Sequence, residues 1–321
     1  MRKSVGFIGC GQTAMLHADV LSHLSVGISS VVAKNPSSQN VNSFAKKYNV
    51  KNIYFDIDEM ILSESLDALW VVTPWNTNYS ILKKIRKYNI PIFVEKPIAC
   101  SLAEINNLLN IYQDYTLPFQ VGFNRRFYDY IPNLKKQLSN DSIKSVIIEA
   151  PESSSEDEQL NNKMLHANTS HLIDLIYFLL GPLVVNYSHV VNKKNYSSVL
   201  LTKDKIPIHF ISSWDVNANF SIKIFSESKV YHLMPIEKCI IYDSMDIIEI
   251  SKSVNKKIRM YKPQKGSTLT CDFNFKPGFL NQAKFFINSI DNNKKNQISA
   301  NLNSTYEVIK ICEQIIGNKS R

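Results

Sequence analysis

The chain reads as an α/β protein. It predicts a doubly wound parallel sheet over residues 1–124 and an α+β domain with a large, mostly antiparallel open sheet over residues 125–321. Three observations carry this. Apolar strand runs alternate with helical patterns at βαβ spacing through the first third. A glycine-rich turn stands between the first strand and the first helix. Beyond Val184 the pattern becomes a succession of short alternating segments, which short connectors make antiparallel neighbours.

The chain opens on Ser4-Val5-Gly6-Phe7-Ile8, a short apolar strand. Gly9-Cys10-Gly11-Gln12-Thr13-Ala14 follows at once, and Met15 to Ser25 reads as helix. This is Gly-x-Gly-x-x-Ala in a strand–turn–helix setting, a dinucleotide-binding Rossmann signature. Gly9 permits the tight turn, Gly11 lets a pyrophosphate approach the backbone, and Ala14 lets the helix pack on the strand. The phosphates would sit on the helix N-terminus, with Gln12 and Thr13 beside them. Gly27 to Ala33 is the second strand. An NAD site carries Asp or Glu at its end for the ribose 2′-hydroxyl. Here Lys34, Asn35, Pro36, Ser37 and Ser38 stand instead. A lysine with two hydroxyls suits a 2′-phosphate, so NADP is favoured over NAD; the other reading of Lys34 is a solvated side chain.

Val41 to Tyr48 reads as helix, Asn52 to Phe55 as strand, and Asp56 to Leu62 as helix. Leu66 to Thr73 is an apolar strand running into Pro74-Trp75-Asn76-Thr77-Asn78. Tyr79 to Tyr88 is helical, and Ile90 to Val94 is a strand ending at Glu95-Lys96-Pro97. Chemistry in a parallel sheet sits beyond the carboxyl ends of the strands, so Lys96 is a catalytic candidate. Leu102 to Tyr112 is a helix, and Phe119 to Phe123 is a strand followed by Asn124-Arg125-Arg126-Phe127.

In the second half, Tyr130 to Leu138 reads as helix and Ile143 to Ala150 as strand. The acidic, serine-rich run Glu152 to Glu158 reads as a loop. Met164 to Leu180 is an amphipathic helix stopped by Gly181 and Pro182, with His171 and Asp174 on one face. Alternating segments follow at 184–192, 197–201, 206–214, 220–225, 230–234 and 239–242. Pro277-Gly278-Phe279 opens a helix to Ile290, and Asn303 to Ile316 is the last helix. A broad sheet with helices on one face leaves the other to cover, so a homodimer or homotetramer through the C-terminal sheet is expected.

Composition narrows the function classes. With 321 residues and 44% of them hydrophobic, there is enough chain for two cores. The formal charge of +9 raises nucleic acid as a partner, but the lysine pairs are dispersed, and a solvated surface fits them better. Residues 1–11 already read as strand and turn, and no apolar run reaches the ~18 residues of a membrane span, so neither a signal peptide nor a membrane partner is expected. Cys10, Cys100, Cys239, Cys271 and Cys312 are scattered, which fits a reducing cytoplasm and implies no metal site.

Four stretches, in order and at family-like spacing, resemble the glucose–fructose oxidoreductase, inositol dehydrogenase and MocA family. They are Gly9 to Ala14, Thr73-Pro74 with Asn76, Glu95-Lys96-Pro97, and Gly122 to Phe127. The resemblance implies that Thr73, Pro74, Asn76, Glu95 and Lys96 border the nicotinamide half of the cofactor, and that Asn124 and Arg125 lie near it. Where the family carries a His after Thr-Pro, this chain has Asn78. The run around His171 resembles the family's substrate helix, with His171 on the general acid/base. The family's preceding Asp falls on Ala167 or Asn168, and no carboxylate is there; His166 is a possible stand-in. Asn168, Asp174, Tyr177 and Arg125 are then candidates to hold a sugar-like substrate. The Pro-Gly-Phe-x-x-Gln segment resembles members acting on surface-glycan sugars. The implied activity is hydride transfer between nicotinamide and a CH–OH or C=O carbon. The alternatives are reduction of an imine or other C=X bond, or a silent NADP-binding regulator.

Overall fold

The computed structural model describes residues 3–35, 39–192, 194–249, 259–292 and 298–317. By compactness the chain forms two units: Met1–Tyr128 with Asp157–Phe178 and Asp272–Glu313, and Asp129–Glu156 with Leu179–Cys271 and Gln314–Arg321. A single cut after residue 124 separates the parallel sheet from later segments that this grouping places with it.

In the first unit, β1 (Ser4–Ile8), β2 (Gly27–Val32), β3 (Asn52–Tyr54), β4 (Ala68–Val71), β5 (Ile92–Val94) and β6 (Phe119–Val121) form one sheet. Its order is β3-β2-β1-β4-β5-β6, and every pairing is parallel. All residues of β4 and β5 are buried, which is why they read as unbroken apolar runs rather than alternating ones. The crossover helices are α1 (Gln12–His23), α2 (Gln39–Tyr48), α3 (Ile57–Ser63), α4 (Asn78–Ile85) and α5 (Leu102–Ile111). Side chains fix two of the starts: Asp56 accepts from Glu59 N–H, and Ser101 accepts from Glu104 N–H. Strand order reverses between β1 and β4, the place where open α/β sheets bind ligands beyond their carboxyl ends.

The second unit opens with α6 (Ile131–Ser139) and β7 (Ile143–Glu149). The chain then gives α7 (Glu158–Asn161), a π-helical turn (Leu165–Thr169) and α8 (Ser170–Leu180) to the first unit, with α8 ending just past it. Next come β8 (Leu183–Val191), β9 (Asn195–Thr202), β10 (Pro207–Ser212), β11 (Ser221–Ser226), β12 (Val230–Leu233), β13 (Lys238–Glu249) and β14 (Arg259–Thr270). These make an eight-stranded sheet ordered β14-β13-β12-β11-β7-β10-β9-β8. Its pairings are antiparallel except for β7 with β10. Finally α9 (Phe279–Asn292) and α10 (Leu302–Ile316) return to the first unit, α10 as far as Glu313.

The fold class is as expected, with three local differences. The expected single helix from Met164 begins with the π turn before α8 takes over. The strand expected to stop at Tyr242 runs to Glu249, and it pairs with β14, which was not anticipated. β14 is Arg-Met-Tyr-Lys-Pro-Gln-Lys-Gly-Ser-Thr-Leu-Thr, mostly exposed, so it carries no apolar alternation to read. The core of the first unit is aromatic. Trp70 stacks on Phe93 at 4.4 Å, and Phe286 of α9 meets both edge-on. Among the described residues, no helix is long and apolar enough to cross a membrane.

Candidate active site

The phosphate cradle comes first in the chain. Gly9 has φ +103°, and a Cβ there would meet the Val72 carbonyl oxygen at 2.1 Å. Only glycine fits this turn. Gly11 is the reverse case. It is extended, caps α1 without a side-chain hydrogen bond, and has no heavy atom within 4 Å of where a Cβ would stand. The space beside it is open, and with no side-chain cap the first N–H groups of α1 are the kind of donors that an anion would fit. Gln12 is exposed, Thr13 half-buried, and Ala14 fully buried against the sheet. A dinucleotide pyrophosphate fits this donor set. Lys34 and Asn35 are exposed just past β2; Ser37 and Ser38 lie outside the described residues.

Asn78 builds the next layer. Its Oδ1 accepts from Thr73 Oγ1 at 2.7 Å, and its Nδ2 donates to the carbonyls of Glu95 and Pro97, both at 2.9 Å. One fully buried amide therefore ties the end of β4 to the end of β5. Pro74 and Asn76 are exposed in the loop above it. Glu95 turns inward: its Oε1 lies 2.7 Å from His17 Nε2, and its Oε2 accepts from Lys96 N–H at 3.2 Å. Burial pushes this carboxyl up, but the His17 contact and the charges of Lys96 and Lys276 outweigh burial and hold it below the usual range. A Cβ on Gly122 would stand 2.8 Å from the Glu95 carboxyl, so glycine there leaves the carboxylate its place.

Lys96 is half-buried and its Nζ donates to the carbonyl oxygen of Ala167. Four residues on, His171 is 8% exposed and stands edge-on to Phe123 with ring centroids 5.7 Å apart. Its Nδ1 is buried and meets no hydrogen-bond partner among the described residues. Burial, then the charges of Lys96, Arg125 and Lys276, hold the imidazole well below its ordinary 6.5. The Ala167 carbonyl thus links Lys96 to the helix that carries His171, with Asn168 next in the chain to that carbonyl, and the charge of the half-buried Arg125 also bears on His171. Asn124 is buried, and its Nδ2 donates to the Pro277 carbonyl at 2.9 Å.

Residues 3–123 match the model of an oxidoreductase family with an NAD-binding Rossmann fold, the glucose–fructose oxidoreductase, inositol dehydrogenase and MocA family. Over that stretch, rather more than a third of the chain, the sequence is similar to that family. An uncharacterized oxidoreductase of Bacillus subtilis, YrbE, is 28% identical over 142 residues, 43% of this chain and 40% of that protein. The myo-inositol 2-dehydrogenase of Thermotoga maritima is 26% identical over 139 residues, 43% of this chain and 41% of that one. These matches span about two fifths of the relatives' lengths. The crystal structure of a dehydrogenase (MviM) from Clostridium difficile shares the fold at TM-score 0.77 and 19% identity, over 99% of this chain and all of that one.

Against this family pattern, one substrate candidate is corrected. Asp174 has no exposed surface, and Arg126 takes both its oxygens, Nε at 2.8 Å and Nη2 at 2.5 Å. It is half of a buried ion pair rather than a pocket wall. Tyr177 is half-buried, and burial first, then the charge of Glu307, pushes its hydroxyl up. His166 does not stand in for the missing family Asp: it is buried, with Nε2 2.9 Å from a Glu313 oxygen. A main-chain carbonyl, that of Ala167, meets Lys96 at that position instead. Sequence reading passed over His17, Arg126 and Lys276 as site-forming groups. Their partners lie 78, 48 and more than 100 positions away, and no local spacing announces them.

Proposed function

We propose that this chain is a cytoplasmic NAD(P)-dependent dehydrogenase or reductase. Its substrate would be a sugar or nucleotide sugar, of the kind built into surface glycans, carrying the reacting CH–OH or C=O carbon. The observation that carries this reading is the Lys96 ammonium on the Ala167 carbonyl, one helical turn before His171. The open Gly11 cradle supports a dinucleotide, and the myo-inositol 2-dehydrogenase relative supports a polyol substrate. Five free cysteines fit a reducing compartment. Exposed Lys34 and Asn35, without an acid at the end of β2, favour NADP.

The dinucleotide supplies the hydride chemistry when bound. Lys96 hydrogen-bonds the reacting oxygen and stabilises negative charge developing on it. His171, neutral at pH 7, accepts the hydroxyl proton in the oxidative direction and returns it in the other. Asn168 and Arg125 hold the remaining polar groups. Thr73, Pro74, Asn76 and Asn124 border the cofactor, and Glu95 does so through the loop that Asn78 ties.

Nicotinamide absorbance, followed with a panel of sugars and nucleotide sugars, tests this. Lys96→Ala and His171→Asn should each lose about 10²- to 10⁴-fold in turnover while still binding dinucleotide. Full turnover in Lys96→Ala removes the catalytic assignment, and tighter binding of NAD than NADP removes the reading of Lys34. The absent carboxylate at 167–168 favours one second reading, a silent NADP-binding regulator. Tight cofactor binding without any absorbance change across sugars and imines would support it.

A further inference from the structure

The segment leading into His171 changes its hydrogen-bond spacing midway. Ala167 N–H donates to the carbonyl of Lys163, four residues back, but Ser170 N–H reaches that of Leu165, five back. This is the π turn of Leu165–Thr169. One residue more in a turn rotates everything after it by about 100° relative to a continuous α-helix. Such turns are rare, and they recur at functional sites. Three consecutive carbonyls of this one accept from side chains. That of Leu165 takes the Cys312 thiol at 3.6 Å, that of His166 takes Ser170 Oγ at 2.7 Å, and that of Ala167 takes Lys96 Nζ. The Ser170 bond is the back-bond that a helical serine makes one turn down.

Two further contacts hold the turn. His166 Nε2 lies 2.9 Å from a Glu313 oxygen, with both side chains buried. Lys163 Nζ donates to the Cys100 carbonyl at 2.8 Å, four residues past Lys96. The turn is thus fastened on two sides. α10 supplies Cys312 and Glu313, and the loop after β5 supplies Lys96 and the Cys100 carbonyl, all within the first unit. A regular α-helix would pair these carbonyls with its own N–H groups and would need none of these side chains. What the π register adds is a carbonyl within reach of Lys96 and a set rotation for the residues that follow. Resting on the reading of Lys96 and His171 as the reacting pair, we propose that His166, Ser170 and Glu313 are positioning residues for that reaction. They hold the turn in the register that keeps the Ala167 carbonyl on Lys96 and fixes the direction in which His171 leaves its helix. A lysine ammonium sits on a flexible stem, and a fixed acceptor selects one direction for it.

Ser170→Ala removes one of these ties and His166→Leu another; both leave Lys96, His171 and the Gly11 cradle in place. Turnover and dinucleotide binding are measured on the full chain. In each variant kcat should fall about 10- to 100-fold, the range that a slightly misplaced catalytic group costs, while the dinucleotide Kd stays within about twofold of the parent's. Should His166→Leu fail to fold, Ser170→Ala decides. A second readout needs no turnover. The lysines are reductively methylated with ¹³C, and the Lys96 resonance is identified by its absence in Lys96→Arg. That resonance should move in both variants. The proposal is overturned if the folded variants keep the parent's kcat, if kcat falls only in step with dinucleotide binding, or if the Lys96 resonance stays where it is. Absence of hydride transfer with every sugar would remove the enzymatic reading alone; a Lys96 resonance that moves in Ser170→Ala would still support the positioning role of the turn.

Discussion

Gly9 and Gly11 lie two residues apart, and their substitutions should fail in different ways. At Gly9 a methyl group meets the Val72 carbonyl, and the backbone sits at positive φ. Gly9→Ala should cost stability, about 1–3 kcal/mol or more, read by chemical denaturation. At Gly11 nothing lies within 4 Å, so Gly11→Val should fold normally and lose dinucleotide affinity at least about tenfold, read by titration calorimetry. An equal loss of stability in both would mean that the space beside Gly11 is not a ligand cradle. His171 gives a pH prediction. Its folded pKa is depressed, so the folded state binds the proton less readily than the unfolded chain. The stability it contributes is fully present above the unfolded value of about 6.5 and is lost as pH falls from there through the folded value. Thermal midpoints of the ligand-free protein from pH 8 to 5 should drop less steeply in His171→Asn than in the parent; parallel curves would refute this. The cradle glycines, Lys96 and His171 were legible because neighbours in the chain define them. Lys276, His17 and Asn78 were not, since each acquires its role from a partner on another element.

At the level of elements, buried polar ties hold the loops and the helix that present these side chains. Arg126 leaves the 3₁₀ turn after β6 (Asn124–Phe127) and grips Asp174 on α8, the helix that carries His171. Asp174→Asn would leave a buried guanidinium without its counter-charge, at a cost of about 3–5 kcal/mol. Urea unfolding reads the stability, and cofactor-linked turnover reads whether His171 has shifted. A change under 1 kcal/mol would show that the pair is not the tie it looks like. Periodicity revealed most elements to within two or three residues, because buried parallel strands and amphipathic helices leave long apolar signatures. It missed β14 because that strand is held by main-chain pairing to β13, which no side-chain pattern records. The π turn at Leu165–Thr169 was equally invisible, since it changes the hydrogen-bond register without changing which residues are apolar.

For the whole molecule, the open question is what covers the outer face of the second sheet. Tyr187, Val199, His209, Ile147, Lys223, His232 and Ile240 align strand by strand from β8 to β13 through the pairing registers. Each of them is exposed or half-buried, while the residues on either side of Val199, Ile147 and Ile240 are buried or nearer the core side of the pleat. Seven strands at about 4.8 Å spacing make a row about 29 Å wide, room enough for an interface of about 800 Å² on each partner. A flat, partly aliphatic face of that width is costly to leave in water, and a two-fold axis lets it cover itself. The protein is therefore expected to sediment as a dimer or tetramer at micromolar concentration. Ile147→Lys places a new charge at the middle of the row, next to Lys223 on the paired strand, where a two-fold copy would bring the same charges close. That variant should sediment as a monomer with its dinucleotide affinity intact, because the cradle belongs to the other compact unit. A parent protein that is monomeric throughout, or a variant that assembles as the parent does, would put the subunit contact elsewhere or nowhere on this sheet.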